Sequence, residues 1–137
     1  MKNSFTAFLF GTRDKLIVSQ QDNLVRSGHW VLQIHNFIAK HHSDTHLDTH
    51  IVLSCNRVTS FLVEDQTRKI QETPLLICAL YKSRNEFKRY LSFPNHSPKQ
   101  FVLDSLTFPI QFNVSEYFPL PASTEFGIHF SLVRVDM

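Results

Sequence analysis

Leu106-Thr-Phe-Pro-Ile-Gln-Phe-Asn-Val114 is the stretch whose reading decides the fold. Leu106, Phe108, Ile110, Phe112 and Val114 are apolar, while Thr107, Gln111 and Asn113 between them are polar. A period of two held over this length is that of a strand with one face in a core and the other toward water. Pro109 falls on the polar side and has no N–H to give a ladder. The strand is therefore an edge, is bulged at Pro109, or places Pro109 where no donor is needed.

Outward from this stretch the pattern repeats. Phe126, Ile128, Phe130 and Leu132 point one way, and Glu125, Gly127, His129 and Ser131 the other. Ser115 to Thr124 between the two runs carries Pro119 and Pro121, shows no helical period and reads as a loop. The two strands are then either an antiparallel pair or a crossover between sheets. Upstream, Leu47, Thr49, Ile51, Leu53 and Cys55 share a face, and Trp30, Leu32, Ile34 and Ile38 line up across His29 to Ile38. Leu75 to Tyr81 is a continuous apolar run, as expected of a strand covered on both faces. Shorter candidates are Phe5–Phe10, Lys15–Ser19, Ser60–Val63, Phe87–Ser92 and Gln100–Leu103. No long amphipathic helix appears. The expected fold is all-β: a single jelly-roll β-sandwich of about eight strands in two antiparallel sheets. Residues 1–25 are expected to be an N-terminal arm or a first strand, and 26–137 the jelly-roll domain.

Composition bounds the function. At 137 residues the chain has room for one ordinary domain, which buries about two-thirds of its unfolded surface without a staple. Thirteen Phe promise an aromatic core, and three isolated glycines, Gly11, Gly28 and Gly127, exclude Walker and dinucleotide fingerprints. Fourteen Lys and Arg against twelve Asp and Glu leave no basic stripe for direct nucleic-acid binding and no acidic tract. Cys55 and Cys78 both sit in apolar runs and read as buried reduced thiols. No run reaches the roughly 18–20 apolar residues of a membrane span. Phe5–Phe10 is too short for a signal peptide, so the chain is expected to be made and kept inside a cell until something exports it. The sequons at Asn95 and Asn113 accordingly read as accidental.

One polar cluster invites chemistry. His41-His-Ser-Asp44-Thr-His46-Leu-Asp48-Thr-His50 packs four His and two Asp together. His46 and His50 would share a helix face, and Asp44, His46, Asp48 and His50 one side of a strand. Strand geometry sets same-side neighbours about 7 Å apart, too far for all to reach one ion unaided. The reading is a polar strand face, with no metal and no cofactor, and His46, Asp48 and His50 stand as the metal candidates. Glu64-Asp65 reads as a loop, no nucleophile elbow exists, and a core Cys is inert. Tyr81-Lys-Ser-Arg84 and Phe87-Lys-Arg-Tyr90 interleave bases and aromatics as single-strand binders do, but also fit an ordinary alternating strand, and no further basic groove supports the first reading.

From Ile51 to Val135 the order of elements resembles the jelly-roll capsid proteins of the adenovirus-like lineage, the vertex (penton) and hexon-type proteins of Polinton-like viruses and adintoviruses. Ile51-Val-Leu-Ser-Cys-Asn-Arg-Val58 resembles the strand that leads into a short loop, here at Glu64-Asp65. Pro74-Leu-Leu-Ile-Cys-Ala-Leu80 is similar to the strand that follows, with Ile77 where that family carries a basic residue. Tyr90-Leu-Ser-Phe-Pro-Asn95 resembles its aromatic element, and Leu103 to Val114 its late strand.

This resemblance implies a non-enzymatic structural protein of the virion, assembled inside the host cell in nucleus or cytoplasm. A lone jelly roll, not the two of a hexon-type chain, implies the vertex subunit. Its partners would be itself, as a homopentamer, and a neighbouring major capsid protein. Phe5, Phe8, Leu9 and Phe10 are the candidate subunit contact, unless that run is an ordinary first strand of the chain's own sandwich. The competing readings are a β-sandwich module binding carbohydrate or peptide, and a small metal enzyme on the same scaffold.

Overall fold

The structure, a computed structural model, describes residues 2–13, 15–41, 49–64, 66–80, 82–83, 86–92, 99–116 and 124–135. Twelve strands and no helix occur among them. In order they are β1 (Ser4–Thr12), β2 (Ile17–Val18), β3 (His29–His41), β4 (Thr49–Cys55), β5 (Thr59–Glu64), β6 (Thr67–Glu72), β7 (Leu76–Leu80), β8 (Lys82–Ser83), β9 (Glu86–Ser92), β10 (Lys99–Val102), β11 (Ile110–Glu116) and β12 (Glu125–Val135).

Their wiring is that of a jelly roll. One sheet runs β1-β12-β3-β9-β8, with β10 also on β3, and the second runs β2-β11-β4-β7. First strand lies beside last, and of the eight strands β1 to β4, β7, β9, β11 and β12, successive ones alternate between sheets except β4 and β7, which pair in the second; the eight make two four-stranded layers. Every strand pairing is antiparallel. The four remaining strands are insertions: the β5–β6 hairpin between β4 and β7, β8 before β9, and β10 before β11. β11 and β12 fall in different sheets, so their connection is a crossover and not a hairpin.

The two alternating stretches of the sequence face each other across the core. Ile110, Phe112 and Val114 from β11 and Phe126, Ile128, Phe130 and Leu132 from β12 are all buried. Phe112 and Phe130 meet at 5.3 Å with rings tilted by 57°, and Phe37 stacks on Phe126 at 6.1 Å. Trp30 is buried, and its Nε1–H donates to the Val25 carbonyl at 3.1 Å, as a buried indole requires. Within the first 25 residues β1 pairs with β12, β2 pairs with β11, and Leu16, Val18 and Leu24 enter the core.

Three expectations change. The regular strand expected over 106–114 starts only at Ile110; Pro109 stands just before the ladder, where no donor is needed. The run expected from Leu75 to Tyr81 to be covered on both faces is open at Ile77: β7 ends its sheet, Leu76 points inward, and Ile77 points out at 66% exposure, while Tyr81 lies outside the described residues. On β3 the inward residues are Trp30, Leu32, Ile34, Phe37 and Ala39, so Ile38 faces outward. The cause is a bulge. β12 pairs His129 with Asn36 but Phe130 with Ile34, leaving His35 as an extra residue. An extra residue breaks the period of two and shifts every later side chain to the opposite face.

Candidate functional site

The outer face of the six-stranded sheet carries the most unusual surface. β1 alternates along its length: Phe5, Ala7 and Leu9 pack on the core, while Thr6, Phe8 and Phe10 turn outward. Of the four residues expected at a subunit contact, Phe5 thus lies against Phe130, with ring centroids 6.2 Å apart, and Leu9 also faces inward. Phe8 and Phe10 are the exposed pair, at 54% and 53%. Their rings lie nearly parallel, with centroids 6.4 Å apart and planes 19° from parallel. They lean over Gly127 of β12, where a Cβ would come within 2.8 Å of the Phe8 ring and 3.3 Å of Phe10. The glycine leaves a shallow bed that both aromatic rings occupy.

Beside them lies a polar cluster. The β3 bulge turns both His35 and Asn36 to this face, between the buried Ile34 and Phe37. His35 Nε2 and Ser131 Oγ share a hydrogen bond of 2.8 Å, and Ser131 Oγ shares another of 2.8 Å with Thr6 Oγ1. His129 follows on β12, its ring 4.9 Å from that of His35 and 6.5 Å from that of Phe8, with Asn36 Nδ2 at 3.4 Å from its Nδ1. Burial, and then the neighbouring His129, holds His35 below the ordinary histidine value. The alternation of β12 put His129 and Ser131 outward, but nothing in sequence marked His35 as their neighbour.

β1 is also an edge. Arg134 N–H donates to the Asn3 carbonyl at 2.8 Å, so the odd-numbered residues of β1 bond to β12. The N–H and C=O groups of Ser4, Thr6, Phe8 and Phe10 then point away from the sheet. Lys2, of the same parity, bonds on that side to Asn23 and Val25, and no strand among the described residues pairs with the remainder of this edge. A second exposed apolar pair, Phe61 and Ile70 at 71% and 70%, stands directly cross-strand on the β5–β6 hairpin, which pairs with neither sheet.

The other candidates do not gather into a site. His46 and Asp48 lie outside the described residues, and His50 is placed in β4 by its backbone alone. Among the described residues no three His, Cys, Asp or Glu come together to hold an ion. Cys55 is a free, buried thiol that burial pushes up to about 11, far from a thiolate at neutral pH. Cys78 lies in β7 opposite Ile51. The Asn113 amide donates to the Glu72 carboxylate at 2.7 and 3.0 Å, anchoring the hairpin base to β11. Among the described residues no helix is long and apolar enough to cross a membrane.

No protein-family model matches the chain. No curated protein matches it at a significant level. Among solved structures it is similar to a chain of a cryo-electron microscopy structure of mud crab dicistrovirus, at 15% identity over 97% of this chain and 73% of that one, with a TM-score of 0.24. The assignment of the fold rests on the strand order alone.

Proposed function

We propose that the chain is a single jelly-roll capsid subunit, a structural and non-enzymatic protein of the virion that acts by self-association. The observation that carries this reading is the pairing of a flat, half-exposed Phe8–Phe10 surface with the open edge of the strand that bears it. Soluble monomers rarely leave a long strand edge and an adjacent aromatic pair uncovered, because together they invite another chain. A second copy would extend the sheet along β1 and cover both rings in the same contact. Such a contact is heterologous, since β1 of one copy meets a different surface of the next, and it closes into a ring when the rotation allows.

Five-fold closure at a vertex, beside a neighbouring major capsid protein, follows the resemblance of Ile51 to Val135 to the adenovirus-like vertex proteins. Assembly would take place inside the host cell. Fold alone names no activity, so the reading stands on this surface. Its test is sedimentation of the wild-type chain against a Phe8→Ser/Phe10→Ser variant across a concentration series. The wild type is expected to associate and the variant to remain a monomer with an unchanged fold. A wild type that stays monomeric at the highest concentration contradicts the proposal.

One observation favours a second reading. Two near-parallel exposed rings, Phe8 and Phe10, with His129 and Asn36 beside them also suit a sugar face. Binding of an oligosaccharide by monomers, abolished in the same variant, would favour a carbohydrate module.

A further inference from the structure

The geometry points to an acid-release device built into this same surface: the His35–His129 pair lets the face be covered when both rings are neutral and opens the contact when they take up protons. The inference rests on the self-association reading above and concerns its control.

The bulge in β3 shapes the patch. A regular strand continuing Trp30, Leu32 and Ile34 would send Asn36 inward; the extra residue keeps both His35 and Asn36 on the outer face beside His129 of the adjacent strand, with the two imidazole centroids 4.9 Å apart. Two imidazolium ions at that distance repel, and covering the face removes the water that would screen them. The charged groups around the pair offer no relief. β1 presents Ser4, Thr6, Phe8, Phe10 and Thr12 on this face and no carboxylate. β12 contributes Glu125, four residues from His129 and paired by register with Lys40 of β3. β3 adds Gln33 and Asn36. β10 places Gln100 opposite Gln33 on this face, while Lys99, opposite the buried Ile34, has the parity of the other face. β9 places Ser92, Tyr90 and Lys88 opposite Asn36, Ile38 and Lys40. By strand parity Glu86 of β9 shares this face with Lys88, so two acids stand with two lysines, and none of the four is a register partner of His129, whose cross-strand partners are Phe8 and Asn36.

The local bonding adds to this. Neutral His35 and Thr6 share the Ser131 hydroxyl, at 2.8 Å each, and that hydroxyl holds β1 to β3 across β12. A protonated ring can only donate, so Ser131 must then accept from His35 and turn its own proton elsewhere. The Phe8 ring, 6.5 Å from His129, rests on the same cluster, so the aromatic contact and the titrating groups occupy one patch. His35 already resists protonation in the isolated chain, and a neighbour that removes more water increases that resistance.

The sign follows from linkage. If the covered face binds fewer protons than the free one, association is strongest above the ordinary histidine value of about 6.5 and weakens as pH falls below it, by up to about tenfold per pH unit for each proton taken up. The test is the self-association constant of the full chain, measured by sedimentation at pH 7.5, 6.5 and 5.5, for wild type, His129→Gln and His35→Gln/His129→Gln. Circular dichroism at each pH confirms the fold.

We expect the wild-type constant to fall at least tenfold from pH 7.5 to 5.5, the single variant to fall less, and the double variant to change little. Association that is flat with pH, or acid release that persists in the double variant, overturns this inference and leaves the self-association reading intact. A wild type that is monomeric at every pH overturns both. Should the double variant fail to fold, His129→Gln alone decides, since His129 lies outside the core.

Discussion

Removing Phe130 probes the sandwich where its layers meet. The ring is 1% exposed, belongs to β12 of the six-stranded sheet, and touches Phe112 of β11 in the other sheet and Phe5 of the edge strand β1. Phe130→Ala deletes a buried ring packed against two other strands, at a cost of about 3–5 kcal/mol. Phe112, fully buried, belongs in the same range. An unfolding entropy of about 2.1 cal/mol/K per residue, over 137 residues, turns 4 kcal/mol into a fall in Tm of about 14 °C. The pair also couples. Tilted rings at 5.3 Å contribute about 0.5–1.5 kcal/mol beyond their buried area. The double variant should therefore lose less than the sum of the two single losses by about that amount. Thermal melts and urea titrations of wild type, both single variants and the double variant measure this. A fall in Tm under about 3 °C for either single variant, or strict additivity, would refute the register that sets these rings face to face.

Further outcomes follow from the same geometry. Gly28 enters β3 at φ 90°, and a Cβ there would stand 2.7 Å from Arg134 Nε, so Gly28→Ala should cost about 1–3 kcal/mol by urea titration. Gly127→Val should lift Phe8 and Phe10 off their bed and weaken self-association more than it lowers Tm; unchanged sedimentation would count against the proposed contact. The depressed titration of His35 gives stability that is fully present above about pH 6.5 and is lost as pH falls below it, so the urea midpoint should be lower at pH 5.5 than at 7.5, and His35→Gln should flatten that difference. Cys55 should resist a thiol reagent at pH 7.5 until the chain unfolds, because its thiol lies near 11 in the fold; labelling at the rate of a free cysteine would show that β4 does not bury it.

The sequence carried the core and lost the surface. Ile110 to Val114 and Phe126 to Leu132 alternate cleanly because each has one face in the core and one toward solvent, and that period survives in a bare string of residues. The period of two puts Ile38 of β3 inside because a bulge leaves no local mark: His35 and Asn36 look like any two polar residues until β12 is aligned beside them. β6, Thr67–Glu72, carries no strand signal for another reason. The hairpin pairs with neither sheet, so no buried face imposes alternation on Thr-Arg-Lys-Ile-Gln-Glu. Ile77 reads as covered because a run of apolar residues does not say which of its faces meets the other layer. The candidate contact was half legible. Four apolar residues near the N-terminus stood out, but only the register of β1 against β12 separates Phe5 and Leu9, which serve the core, from Phe8 and Phe10, which face outward.

The central claim is that this jelly roll works as a self-associating building block. Light scattering coupled to size exclusion at neutral pH, over a concentration series, tests it most directly. The account predicts a species of five times the 16.0 kDa chain mass, or larger shells built from it, that reverts to the single-chain mass in the Phe8→Ser/Phe10→Ser variant. A wild-type chain that elutes at 16.0 kDa at every concentration contradicts it.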